Sequence, residues 1–159
     1  MLPGISKVIT IYKFNSNNLE HKTIKLWFLD WEKFVQKKQY SSALQLFEND
    51  VVSFGTWMDV VEGLDQLKIN QWENIWPTIS GFKFLTETLF IQLSPDKLFA
   101  NSILTWTSLG YHQDGKTFER SGRATVTLKR SNLNFEWKGI HTHFSLNRGV
   151  PQQSFGNFK

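Results

Sequence analysis

The side chains best suited to chemistry in this 159-residue chain lie in the run Trp137-Lys-Gly-Ile-His141-Thr-His143-Phe-Ser145. On a strand, successive side chains alternate faces, so Trp137, His141, His143 and Ser145 would share one side. Lys138, Ile140, Thr142 and Phe144 would share the other. An aromatic ring, two imidazoles and a hydroxyl make a poor dry core and a good pocket floor. Imidazole titrates at about 6.5, the range a general acid or base needs. Such a base is usually oriented by a carboxylate, and Asp50 is the candidate, although it also reads as a turn residue. A His-x-His pair points both rings the same way, as metal ligands do, but zinc or iron takes a third protein ligand. His21 falls in an N-terminal loop and His112 near a hairpin tip, so no metal is expected. The histidines can equally serve structure, by hydrogen bonding to neighbouring strands or helix ends. The sequence leaves ligand contact, acid–base chemistry and structure open.

Arg123 is the charge of most interest, sharing its face with Thr125 and Thr127, opposite Ala124, Val126 and Leu128. Its planar fork suits a carboxylate. Facing solvent, or pairing with Asp50 or Glu119, is the alternative. Trp31, Phe34, Phe54, Trp72, Trp76 and Trp106 are the expected apolar walls, because small-molecule pockets are mostly such walls with a few polar groups among them.

The elements that must position these residues follow from periodicity. Ile24, Trp27, Phe28, Trp31, Phe34 and Val35 recur at helical steps and predict an amphipathic helix from Thr23. A shorter helix is predicted over 42–48, opened by Ser42 and Gln45 at capping-box spacing. A short strand over 51–54 stops at Gly55. A third helix opens at Gly63, carries Leu64, Leu67, Trp72, Ile75 and Trp76, and ends at Pro77. Beyond Gly81 the period becomes two, predicting strands over 82–93, 98–109, 117–130 and 135–146, with Asp114-Gly115 as a hairpin turn. Before the helices, 8–14 could form a short strand and 15–18 a loop. The predicted organisation is one domain over 1–159: a core of about 24–146, a loosely packed or subunit-reaching arm over 1–23, and a frayed or partner-bound tail over 147–159. Helices followed by an antiparallel meander make an α+β layout.

Composition removes several function classes. Charged residues at 20% and hydrophobic ones at 40% are globular, and 14 Phe with 7 Trp suit a curved sheet around a cavity. The absence of cysteine removes disulfides and thiolate sites. No apolar run approaches the roughly 20 residues that cross a bilayer, and the start lacks a secretory layout, so a soluble cytoplasmic protein is expected. The net charge of +4 is spread along strand-like segments rather than forming a basic stripe, so nucleic acid is not an expected partner.

Three blocks resemble the SnoaL-like branch of the nuclear transport factor 2-like, or cystatin-like, superfamily. Leu46-Phe47-Glu-Asn-Asp50-Val-Val-Ser-Phe54-Gly-Thr56 looks like that branch's link from second helix to first strand. Val61-Glu62-Gly63-Leu-Asp65-Gln-Leu-Lys68, with Glu73-Asn-Ile-Trp76, is similar to the third-helix segment of the association domain of calcium/calmodulin-dependent protein kinase II. Gly122-Arg123-Ala-Thr-Val-Thr-Leu128 and Trp137 to Ser145 look like the closing strands of both. The resemblance implies a curved antiparallel sheet on three helices, a cone-shaped cavity and a homodimer through sheet faces. It also puts the general base of ketosteroid isomerases at Gly55 and their tyrosine at Trp31, neither of which can titrate in that role. The pocket arginine of the kinase domain falls at Thr125, which Arg123 could replace.

The leading expectation is a dimeric, cofactor-free domain that binds a small organic molecule, with an acidic one suited to Arg123, His141 and His143. The alternatives are a cofactor-independent isomerase, cyclase or dehydratase using a pocket histidine, and a homo-oligomeric assembly module contacting its copy through Ile140, Thr142 and Phe144.

Overall fold

Ile24, Trp27, Phe28, Trp31 and Val35 are buried along one side of a long helix, and the sheet curls around that side. The computed structural model describes residues 11–157. In chain order its elements are β1 (Ile11–Lys13), α1 (Leu19–Lys37), α2 (Tyr40–Leu44), β2 (Phe47–Phe54), β3 (Val61–Glu62), α3 (Leu64–Leu67), a π-helical turn (Lys68–Trp72), α4 (Glu73–Ile75), a 3-10 turn (Trp76–Thr78), β4 (Ser80–Leu93), β5 (Phe99–Tyr111), β6 (Thr117–Lys129) and β7 (Lys138–Leu146). The strands form one sheet in the order β1-β4-β5-β6-β7-β2-β3. All pairs are antiparallel except β2 with β7, which is parallel. The architecture is α+β, as the patterning predicts. Among the described residues no helix is long and apolar enough to cross a membrane.

Several boundaries move from their expected places. The asparagine stretch ends in a cap: Asn18 Oδ1 accepts from His21 N at 3.1 Å, so α1 starts at Leu19. α2 ends at Leu44, and Phe47 belongs to β2, because its ring packs inward on Trp27 and Trp31 while Gly139 N donates to Leu46 O. The third helical stretch contains a π turn. Leu67 and Trp72 are five positions apart and both buried, which the wider turn permits. In the N-terminal arm, Ile11–Lys13 pairs with β4 and Phe14, just past the strand, donates from N to Leu89 O at 2.9 Å; residues 8–10 of the predicted 8–14 strand lie outside the described residues. The tail is docked rather than frayed: Ser154 is buried, Tyr111 N donates to its Oγ at 2.9 Å, and Phe155 N donates to Tyr111 O at 2.9 Å.

The curl comes from bulges. In β4 the register slips between Leu85 and Phe90, and Thr88 Oγ1 accepts from Thr105 N at 2.9 Å across the gap. On the inner side of the same strand, Phe84 N donates to Glu32 Oε2 at 2.8 Å, tying the bent strand to α1. β5 and β6 pair without interruption from Phe99↔Lys129 to Tyr111↔Thr117. Their inner face carries Leu104, Trp106, Ala124, Val126 and Leu128. Gly122 has no side chain because a Cβ there would sit 2.5 Å from the Trp106 ring.

The bulge in the closing strand overturns the simple alternation expected of it. Thr127 pairs with His141 but Leu128 pairs with Gly139, leaving Ile140 as the extra residue. Before the bulge Trp137 is buried, and a Cβ on Gly139 would strike the Phe47 ring, so this part faces inward at odd positions. After it Thr142 is buried and Phe144 packs on the core, so the inward positions are even. One inserted residue moves every later side chain to the opposite face.

Candidate functional site

The cavity with the chemistry lies between the helical stretch 64–79 and the inner face of β5, β6 and β7. Its apolar walls include Trp31, Trp72, Trp76, Phe82, Trp106 and Phe144. Trp72 and Trp76 are stacked at 4.9 Å, and Tyr40 continues the stack on Trp76 at 4.9 Å. The cavity volume between these walls is about 50 Å³. The expected cone is therefore a narrow slot holding a few waters as packed.

Arg120 is the charged residue that lines it. It lies on the inner face of β6, in phase with Gly122, Ala124 and Val126, and only 1% of its surface is exposed. Its Nη2 donates to Thr56 Oγ1 at 3.0 Å, its guanidinium carbon lies 5.5 Å from the Trp106 ring centroid, and its Nε has no partner. Among the described residues it forms no ion pair. Burial pushes its pKa down to about 10, which leaves it charged at neutral pH. The indole nitrogens of Trp31 and Trp106 are likewise buried in the lining and unpartnered. Three buried donors of the lining thus lack a partner. Buried donors are almost always paired, so these three are the chemical signature of the site.

The other polar groups are committed. Ser53 and Thr142 hydrogen-bond each other through their hydroxyls. Gln71, delivered by the π turn, accepts through Oε1 from Met58 N at 2.8 Å and Trp57 N at 3.3 Å. Its side chain occupies the space next to Gly55: a Cβ on Gly55 would lie 2.5 Å from Gln71 Cδ. The lining includes no Asp, Glu or His.

The structure separates the residues singled out from sequence. Trp31, Trp72, Trp76 and Trp106 line the slot, whereas Phe54 borders it with its ring turned to the outer face. Phe34 is only partly buried, and Val35 beside it lines the slot instead. Trp137 is buried elsewhere, donating from Nε1 to Thr23 Oγ1 at 3.0 Å. His141 and His143 lie on the outer face, correcting their expected place in the pocket: His141 Nδ1 bonds to Val52 O at 2.8 Å, and both rings meet Phe54 edge-on. Arg123 and Thr125 share that outer face, paired in register with Ser145 and His143. Thr142 and Phe144, expected on a dimer surface, point into the slot. Among the described residues no group of three or more metal-ligating side chains converges. Arg120 and Gln71 were not anticipated. The signal for Arg120 was its phase with Ala124, Val126 and Leu128, which already marked the apolar face of β6. For Gln71 the only clue was the five-residue step from Leu67 to Trp72.

No protein-family model matches the chain, and no curated protein matches it. Solved structures do. A Xanthomonas campestris protein named for the calcium/calmodulin dependent protein kinase II association domain superposes with a TM-score of 0.69 at 20% identity, covering 85% of this chain and 93% of that one. A nuclear transport factor 2-like superfamily protein from Salmonella enterica gives 0.67 at 18% identity, covering 83% and 95%. A Novosphingobium aromaticivorans protein named for scytalone dehydratase gives 0.70 at 14% identity, covering 89% and 95%. The chain therefore has the nuclear transport factor 2-like, cystatin-like fold. Identities this low speak to the fold alone.

Proposed function

We propose that this chain is a cytoplasmic binding domain for a small organic carboxylate with an apolar body, held in the slot with its anionic end on Arg120. One observation carries the reading: a charged guanidinium, 1% exposed, with a free Nε and no carboxylate partner among the described residues. An unpaired buried charge costs several kcal/mol by order of magnitude, about enough to be selected against unless a ligand supplies the counter-charge. The aromatic walls suit a flat body. A lining without Asp, Glu or His favours binding over acid–base turnover, since nothing there titrates near neutrality. The outer sheet face, where Phe54, Phe90, Ile103 and Leu109 are exposed, supports a homodimer through that surface.

Titration calorimetry with benzoate and its neutral amide tests the reading. Benzoate is expected to bind and benzamide to bind at least about tenfold more weakly, with Arg120→Met abolishing the difference. Equal affinity of wild type and Arg120→Met for benzoate would overturn it.

A further inference from the structure

The slot has two unpartnered donor stations rather than one. The first is Arg120 with Trp106, whose ring lies under the guanidinium; Arg120 Nε and Trp106 Nε1 are both buried without a partner. The second is Trp31 Nε1, also buried and unpartnered, on α1 across the slot from β5 and β6. Phe144 stands between them, its ring centroid 5.4 Å from Trp31 and 5.9 Å from Trp106. Trp31 is further packed by Phe47, Trp72 and Phe84, none of which offers an acceptor. The hydroxyls nearest in the lining, Ser53 and Thr142, are bonded to each other.

We infer that the natural ligand is bifunctional, carrying a carboxylate for the Arg120–Trp106 station and a second, neutral oxygen acceptor for the indole N–H of Trp31. The inference rests on the anion reading above and adds the substrate class: an oxo, ether or hydroxy acid with a flat body spanning Phe144. An indole N–H can only donate, so Trp31 selects an acceptor and rejects an ammonium at that end. Satisfying a buried donor that otherwise stays unpaired is worth more than an ordinary exposed hydrogen bond, which makes the second station a specificity element. Its donor is neutral and set among aromatic rings, so a second carboxylate there would be stranded without a counter-charge, and a dicarboxylate is disfavoured.

Four probes separate the possibilities: benzoate, 4-acetylbenzoate, 4-methoxybenzoate and terephthalate, each titrated against wild type, Trp31→Phe and Arg120→Met. In wild type, the better of the acetyl and methoxy acids is expected to bind about five- to tenfold tighter than benzoate, and terephthalate more weakly than either. Trp31→Phe should bring that preference close to one. Should Trp31→Phe fail to fold, the wild-type protein still decides by its indole N–H resonances: Trp106 shifts with all monocarboxylates, and Trp31 shifts only with the acetyl or methoxy acid. Equal affinity for benzoate and both oxygenated acids, or a preference that survives Trp31→Phe, overturns the bifunctional ligand while leaving the anion reading standing. Binding of none of the four, or benzoate binding indifferent to Arg120→Met, overturns the anion reading and this inference with it.

Discussion

Arg120 near the start of β6 and Arg130 just past its end both point inward against an indole, yet their surroundings are opposite. Arg130 ion-pairs with Glu20, its Nε donates to Lys97 O at 3.0 Å, and its guanidinium carbon lies 4.2 Å from the Trp137 ring centroid. The same tryptophan is pinned by Thr23, and among the described residues neither Arg130 nor Trp137 keeps a buried donor without a partner. Arg120 has one hydroxyl, one ring face and a free Nε. One end of the strand is closed by its own chemistry, and at the other a buried donor is left without a partner. On the proposed reading, the same residue type is structure where its partner is part of the chain and a binding site where it is not.

The sharpest way to break the comparison is to remove each guanidinium in turn. Arg130→Met strands the Glu20 carboxylate in a buried site and is expected to cost about 3–5 kcal/mol, read as a lower midpoint in urea unfolding. Arg120→Met removes a buried charge that has no partner and is expected to stabilise by about 1–3 kcal/mol while abolishing acid binding. Loss of stability in both variants would mean that Arg120 has an internal counter-charge after all. The Arg120 difference also has a pH signature. Burial lowers its folded pKa to about 10, below the ordinary guanidinium value, so above about pH 10 the unfolded chain holds the extra proton and wild-type stability rises with pH. The gap between Arg120→Met and wild type should accordingly close as pH climbs through about 10, measurable by paired urea titrations.

Smaller changes sharpen the closed end. Trp137→Phe keeps a ring against Arg130 but loses the bond to Thr23, with an expected cost of about 1 kcal/mol. A loss several times larger would show that the indole does more than hold Thr23. The smallest effect concerns His21, beside Glu20 in α1. Burial lowers its pKa below 6.5 despite the raising influence of Glu20, and its Nδ1 accepts from Asn15 N at 3.0 Å. The unfolded chain therefore takes up a proton below pH 6.5 that the folded one resists, and stability falls as pH drops through that window. His21→Asn keeps an acceptor near the same place and should flatten this part of the profile. An unchanged slope would assign it to other groups.

Much of this was legible without coordinates. The helical stripe through Trp27 and Trp31, the two-residue period of β5 and β6 and the turn at Gly115 place the inner walls of the slot. The stripe and the alternation are direct images of 3.6- and 2-residue geometry. The histidine cluster was misplaced because alternation was extrapolated through Ile140, and nothing in Lys138-Gly139-Ile140 marks which residue will be left unpaired by a neighbouring strand. The sequence reading singles out Arg123 and does not weigh Arg120, although the phase of Ala124, Val126 and Leu128 puts Arg120 on the apolar side.

By itself the sequence determined the order of elements and the amphipathic faces of α1, β5 and β6, because these depend on spacing along a single strand or helix. Only the tertiary structure decided where the β7 bulge falls, since a bulge is a mismatch between two strands and belongs to neither. It likewise decided which arginine is satisfied: Glu20 and Arg130 are 110 positions apart, and no local pattern announces that they meet. Whether a buried charge is structure or site depends on what the rest of the chain brings to it, and that is a property of the fold alone.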